Sequence, residues 1–407
     1  MTSGEAESAA TVRRRRVFYI PGYDPFHPRR YRELYRREAA AQAEISGYRI
    51  AVTGRTGAEV YGWDVAAAIE GAEVTADIEV LVWTDIVRDS MTGGIVQTYL
   101  LLLRTAWIYI STGALWRLVR LRKGPVVAAL YPVVMLLGQL ALALLLAWGV
   151  ARLAGLLLPG WAGWILGLAL VPLVLEWFRR LDAKLFVYYL MHDYAFSARW
   201  RGAMPPVLQA RIESFADRVA EALAEKPDEV LIVGHSSGAH IALAMLAGLI
   251  RAGRLPADGP TVSLLTLGQA IPMVSFLPEA RDLRADLRLM SEQTHVAWID
   301  ISAPGDGCSF ALCDPVSVSG VARAAKRWPL VLSAAFTQTL APETWTRLKR
   351  RYFRLHFQYL CAFDRPGDYT YFAVTAGPRT LSARFAHRAP SASRIETPLS
   401  PYRDCAP

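Results

Sequence analysis

Ser236 is the side chain through which this sequence could do covalent chemistry. It stands in Glu229-Val-Leu-Ile-Val-Gly234-His-Ser236-Ser237-Gly238-Ala-His-Ile-Ala-Leu-Ala-Met, a G-x-S-x-G turn between an apolar run and a helical pattern. Val230 to Val233 has the length and β-branched content of a buried parallel strand, and Ala239 to Leu249 has helical spacing. Gly234 and Gly238 flank the serine because a sharp strand-to-helix turn brings the two backbones too close for a side chain there. Such a turn would leave the Ser236 hydroxyl exposed at its tip. The competing reading is a glycine-rich turn without chemistry.

A serine hydroxyl is a poor nucleophile at neutral pH until an imidazole takes its proton, and the imidazole needs a carboxylate to orient it. The chain order expected after a turn of this kind is serine, acid, histidine, each on a loop at the carboxyl ends of the strands. Asp306, in Ile301-Ser-Ala-Pro-Gly-Asp306-Gly, directly follows an expected strand and is the preferred acid. Asp314 ranks behind it, and Asp300 lies within the strand, where a structural carboxylate is the expectation. Only His356 and His387 follow the acid. His356, among aromatic neighbours, is the preferred base, and His387 borders a tail. His235 and His240 sit on the elbow and on the helix after it, so neither is placed as the base. Oxyanion donors are expected from the amide of Ser237 and from Tyr23, in the Pro21-Gly22-Tyr23 turn after the first strand.

The elements that must position these residues alternate. Val17 to Ile20 reads as a strand, His27 to about Ser46 as a helix, Tyr48 to Thr53 as a strand, and another strand falls within Ile78 to Trp83. Later come a helix over Pro206 to Ala224 and strands at Glu229 to Val233, Val262 to Leu267 and His295 to Ile301. Helices are expected around 238 to 252 and 279 to 290. The fold class predicted is α/β, with a mostly parallel sheet flanked by helices.

Between the early and late strands the composition changes. Hydrophobic residues make up 53% of the 407-residue chain, and the excess gathers in its second quarter. No charge occurs between Lys123 and Arg152, nor between Arg152 and Glu176, and each gap exceeds the roughly 20 residues that cross a bilayer. Two transmembrane helices are expected at about 126 to 148 and 156 to 177, as a hairpin. Arg117, Arg120, Arg122 and Lys123 precede it and Arg179, Arg180 and Lys184 follow it, so both large segments are expected on the cytoplasmic side. Tyr99 to Arg122 is apolar, aromatic and interrupted by arginines, which suits an interfacial helix; a soluble amphipathic helix is the alternative.

The net charge of +9 comes without a nucleic-acid motif, and its basic residues cluster at the membrane flanks and at Arg13 to Arg16. Anionic lipid is the expected partner, and nucleic acid is not. The four cysteines show neither metal spacing nor disulfide density, and the N-terminus has no signal-peptide core. The division expected is a disordered tail over 1–14, a first part of the α/β domain over 15–97, a membrane insertion over 98–179, a second part over 180–388 and a loose tail over 389–407.

With Gly234-His-Ser236-Ser-Gly238 between strand and helix, and Asp306 and His356 following in order, the chain resembles the α/β-hydrolase superfamily of serine lipases and esterases. The resemblance implies a Ser-His-Asp triad, a covalent acyl-enzyme, and no metal or organic cofactor. It departs from many members in lacking a His-Gly-Gly-Gly oxyanion motif. The function expected is hydrolysis of acyl esters, of lipids given the hairpin, by an integral protein of the inner or cytoplasmic membrane. The alternatives are lipid acyl transfer through the same triad and a non-catalytic membrane scaffold.

Overall fold

The computed structural model describes residues 11–55, 60–256 and 258–406. The expectation of disorder over residues 1–10 lies outside them. In chain order the elements that matter are β1 (Arg14–Ile20), α1 (Arg29–Ser46), β2 (Arg49–Gly54), β3 (Gly62–Ile69), β4 (Ala72–Val80), α2 (Ile95–Ser111), α3 (Ala114–Leu121), α4 (Lys123–Ala154), α5 (Gly160–Arg180), α6 (Val187–Arg199) and α7 (Pro206–Ala224). They continue with β5 (Glu229–His235), α8 (Gly238–Arg251), β6 (Thr261–Leu267), α9 (Arg281–Ser291), β7 (Val296–Ser302), β8 (Leu330–Ser333), α10 (Pro342–Leu348) and α11 (Tyr352–His356).

One eight-stranded sheet runs in the order β2-β3-β4-β1-β5-β6-β7-β8. From β4 through β8 every neighbouring pair is parallel, while β2, β3 and β4 pair antiparallel. The sheet is mostly parallel, as expected from sequence, but its antiparallel β2-β3-β4 ribbon makes it a mixed one. The reason is local: β3 and β4 are joined by Glu70 and Gly71, both at positive φ, and a two-residue hairpin turn can connect only antiparallel strands. β3 was not foreseen, because Ala66, Ala67 and Ala68 lower its strand signal, nor was β8, whose four residues are too few to show a pattern.

The central strands β1, β5, β6 and β7 are buried along nearly their whole length, as strands covered by helices on both faces must be. Two apolar clusters occupy the two faces. One holds Phe18, Ile232, Leu264 and Trp298 under α7, α8 and α9; the other holds Tyr19, Leu231, Leu265 and Ile299 under α1 and the C-terminal region. At the amino end of the sheet Arg15 and Glu229 form a buried ion pair at 2.7 Å. Its remaining groups are matched, since Arg15 also donates to the Gly377 and Arg379 carbonyls and Glu229 accepts from the Ser263 hydroxyl and the Leu381 amide. Removing either partner would leave a buried charge alone, at a cost of about 3–5 kcal/mol.

β1 begins at Arg14, three residues earlier than expected, and Val12 is buried with its amide on the Pro378 carbonyl. The C-terminal segment forms no regular element, yet it is fastened rather than loose. Ile395 bridges Cys313, the Leu399 amide donates to the Val318 carbonyl, and the fully buried Arg284 donates to the Asp404 carbonyl.

Between β4 and β5 stand two helices long and apolar enough to cross a membrane: α4, of 32 residues, and α5, of 21. Only 22% and 17% of their most apolar stretches are covered by the rest of the protein. A buried core helix would show the opposite. α4 exceeds the expected 126–148 at both ends, taking in Lys123 and Arg152, while α5 is shifted from the expected 156–177, beginning after Pro159 and ending with Arg179 and Arg180 in its last turn. The two helices touch through small residues. A Cβ on Gly167 would stand 2.2 Å from the Ala147 carbonyl oxygen, so only glycine permits this approach. The stretch Tyr99–Arg122 is two helices, α2 and α3, broken at Gly113, whose φ is 69°. α2 buries Leu102 and Ile108 and exposes Val96, Leu100, Leu103, Trp107 and Ile110.

Candidate active site

Ser236 occupies the tip of the turn from β5 into α8 with φ of 57°, one of the few non-glycine residues at positive φ. A side-chain-bearing residue in this region stores strain that the surroundings must hold in place. They do so through the Ser236 amide, which donates to the Leu267 carbonyl at 2.9 Å, and through two close backbone approaches. A Cβ on Gly234 would lie 2.7 Å from Ala239 Cα, and one on Gly238 would lie 2.2 Å from the Ile20 carbonyl oxygen.

Asp306 and His356 are in contact: His356 Nδ1 lies 2.7 Å from Asp306 Oδ2. Both side chains are buried. Burial works to raise the Asp306 carboxyl, but the His356 imidazole and the amide of Cys308 hold it below the usual carboxylate range. Asp306 therefore remains an anion, which fixes the His356 proton on Nδ1. His356 Nε2 is buried and has no hydrogen-bond partner among the described residues, so its lone pair is available. Ser236 and His356 line one cavity of about 1070 Å³.

Three residues that support this arrangement were not anticipated. The Tyr359 hydroxyl donates to Asp306 Oδ2 at 3.0 Å and accepts the Ala303 amide at 2.9 Å, locking the carboxylate. His235 stacks on His356 with ring centroids 4.8 Å apart, and its Nε2 faces the His356 carbonyl oxygen at 3.1 Å. That contact assigns the proton to Nε2 and makes Nδ1 the acceptor for the Tyr19 hydroxyl, 3.2 Å away. Burial lowers His235 to about 3, so it stays neutral beside the second imidazole. Gly268, at φ of 50°, makes the room: a Cβ there would meet Tyr359 at 2.6 Å, His356 Cε1 at 3.1 Å and Asp306 Oδ2 at 3.3 Å. Gly268 directly follows Leu267, the acceptor of the Ser236 amide, so one short stretch joins Ser236 and His356. A glycine three residues before Ile271 carries no sequence signal for this duty.

The other candidates have separate tasks. Asp300 is buried in β7, accepts the Thr266 hydroxyl at 2.6 Å, and is raised by burial to about 7. Asp314 caps the short helix Pro315–Val318 through the Val316 and Ser317 amides and pairs with Lys326. His387 is exposed. His240 lines the cavity, lowered by burial to about 4, with Nδ1 unpartnered among the described residues.

Tyr23 also lines the cavity, but its amide donates to the Ser237 hydroxyl at 2.8 Å. The donor expected to face an oxyanion is thus engaged by Ser237. The arrangement leaves the Ser237 hydroxyl proton free, beside the Ser237 amide at the amino end of α8. The Tyr23 ring packs on Trp83, Tyr189 and Phe196, and its hydroxyl meets Ser90 at 2.6 Å.

The cavity continues from Ser236 to the foot of the hairpin, where Tyr109 of α2, Pro125 of α4, Phe186 just before α6, and Tyr189 and Leu190 of α6 form its wall. Asp193 of α6 lines the same space, and burial raises its carboxyl to about 7. Asp306, Cys308 and His356 hold three ligand-type atoms within 4.8 Å of one another. Two of them already satisfy each other through the Asp306–His356 hydrogen bond, and burial raises the Cys308 thiol, which disfavours the thiolate a metal needs. No protein-family profile matches the chain, and searches of curated proteins and of solved structures likewise return no match.

Proposed function

We propose that this chain is a membrane-held serine hydrolase that cleaves acyl esters of lipids. The observation that carries the reading is the convergence, in one cavity reaching the membrane hairpin, of a serine at positive φ and a buried Asp306–His356 pair with a free Nε2. The placement of the three residues supports an α/β-hydrolase arrangement: the nucleophile follows β5, the acid follows β7 and the histidine follows β8, all beyond the carboxyl ends of parallel strands.

In this mechanism Ser236 Oγ attacks the acyl carbonyl while His356 Nε2 takes its proton, and Asp306 stabilises the imidazolium. The Ser237 amide and hydroxyl donate to the oxyanion, the hydroxyl being oriented by the Tyr23 amide. His356 then protonates the departing alcohol, and water releases the acyl group from Ser236 by the same path in reverse. The charges flanking the hairpin favour a cytoplasmic domain, with lipid entering from the inner leaflet.

The test is labelling by a fluorophosphonate of membranes bearing the wild type, Ser236→Ala, His356→Ala or Asp306→Ala. Labelling is expected to vanish without Ser236 and to slow at least ~100-fold without His356. An unlabelled, folded wild type would return the chain to the scaffold reading.

A further inference from the structure

The cavity that holds Ser236 is unevenly charged. Where α1 faces α10 and α11, it is lined by the carboxylates Asp24, Glu33, Glu38 and Asp364 and by the cations Arg30, Arg37, Arg347 and Arg354. Three of these carboxylates are paired with arginines, and the fourth accepts a backbone amide. Asp24 pairs with Arg30, Glu33 with Arg32 and Arg36, Glu38 with Arg37 and the Ala362 amide, and Asp364 accepts the Ala341 amide. Arg30 and Arg37 are thereby used. Arg347 and Arg354 form no ion pair or hydrogen bond through their side chains among the described residues, and Asp193, the other carboxyl in the cavity, is on a different wall.

Those two arginines end the run Arg347-Leu-Lys-Arg-Arg-Tyr-Phe-Arg354, in which Lys349, Arg350 and Arg351 are likewise without an ion-pair partner among the described residues. The run sits beside the hairpin. Phe353 packs on Phe186 and Tyr189, at centroid distances of 5.1 and 6.2 Å, just past Lys184. Tyr352 lies against Gly307, which in turn abuts Gly124 in the first turn of α4. Arg354 is also on the short helix that carries His356. Guanidinium groups that line this cavity at the membrane foot, one of them within a turn of the catalytic imidazole, suit a phosphate, which arginine binds through paired N–H groups.

We propose that Arg347 and Arg354 hold the phosphate of an anionic glycerophospholipid while one of its acyl esters lies at Ser236. This specificity rests on the hydrolase reading above. The reaction is ester hydrolysis: the acyl carbon bonds to Ser236 Oγ as its bond to the glycerol oxygen breaks, and His356 protonates that oxygen. Water then takes the acyl carbon, giving a fatty acid and a lysophospholipid that retains the phosphate.

The experiment uses the full chain in bilayer discs of uncleavable dialkyl ether phosphatidylcholine. Diacyl phosphatidylglycerol and diacylglycerol of matched chains are supplied as separate minor components. Wild type is expected to favour the phosphate-bearing lipid in kcat/KM by about tenfold or more, and added salt should shrink that ratio. The Arg347→Gln/Arg354→Gln double variant should lose most of the preference through KM, and Arg347→Lys/Arg354→Lys should keep part of it. A wild-type ratio near one, or a ratio that the glutamine variant preserves, overturns the proposal. If that variant does not fold, the wild-type ratio and its salt dependence decide. Fluorophosphonate labelling run in parallel separates the two claims. Labelling that depends on Ser236 with a ratio near one removes only the phosphate specificity, whereas labelling independent of Ser236 removes the hydrolase reading beneath it.

Discussion

At the scale of residues, the unusual feature is how many groups restrain one carboxylate. Asp306 receives His356 Nδ1, the Tyr359 hydroxyl and the Cys308 amide. Tyr359→Phe removes one of these donors and also strips the Ala303 amide of its acceptor. We expect fluorophosphonate labelling to slow about tenfold and stability to fall by about 1–3 kcal/mol. A labelling rate equal to wild type would show that Tyr359 does not position the acid. Ser236, Asp306 and His356 could be named from a turn pattern and chain order alone, since strand ends put them on one edge of the sheet. Tyr359, His235 and Gly268 could not. Their duties come from three-dimensional contact, and a tyrosine in an aromatic run or a glycine after a strand looks the same whatever it supports.

Among the elements, β7 carries a carboxyl that its surroundings disfavour. Asp300 Oδ1 accepts the Thr266 hydroxyl, which itself accepts Trp298 Nε1, while Oδ2 has no partner among the described residues. Its folded pKa of about 7 lies above the unfolded value, so the folded state binds more protons between the two. Stability therefore falls as pH rises through that window, by about 1.4 kcal/mol for each pH step of one. Asp300→Asn keeps an acceptor for Thr266 and removes the charge. Thermal unfolding in detergent should show the variant more stable than wild type at about pH 8, with the gap closing by about pH 4; equal curves at both would mean the carboxyl is not strained. Periodicity revealed β1, β5, β6, β7 and both apolar helices, because long unbroken apolar runs leave a plain signal, whereas the four-residue β8 was missed and β4 begins at Ala72, ahead of the expected Ile78 to Trp83. β3 stayed hidden behind its alanines, and the sharp division of α2 from α3 depends on a single positive φ at Gly113.

At the scale of the whole molecule, the hairpin and the cavity holding Ser236 belong to one structure, since the cavity wall passes from β-sheet loops to α2, α4 and α6. The orientation proposed above has a direct consequence for the hairpin tip. Leu157, 91% exposed in the connection between α4 and α5, should lie on the far side of the membrane. A Leu157→Cys variant in intact cells should react with a membrane-impermeant maleimide, while Cys405 should react only after lysis. Labelling of Cys405 in intact cells would reverse the orientation.

The order of strands bears also on how the chain is made. β1 lies between β4 and β5, yet Arg15 and its buried partner Glu229 are 214 residues apart. A ribosome delivers β1, the small antiparallel ribbon and then both apolar helices before the strand that completes the centre of the sheet. Until β5 arrives, β1 presents an open, strongly apolar edge of the kind that pairs with other chains. Entry of the hairpin into the bilayer during that interval would tether the unfinished half to a surface and keep copies apart. On the reading proposed above, the insertion would serve biogenesis as well as catalysis, by giving the exposed edge a place to wait.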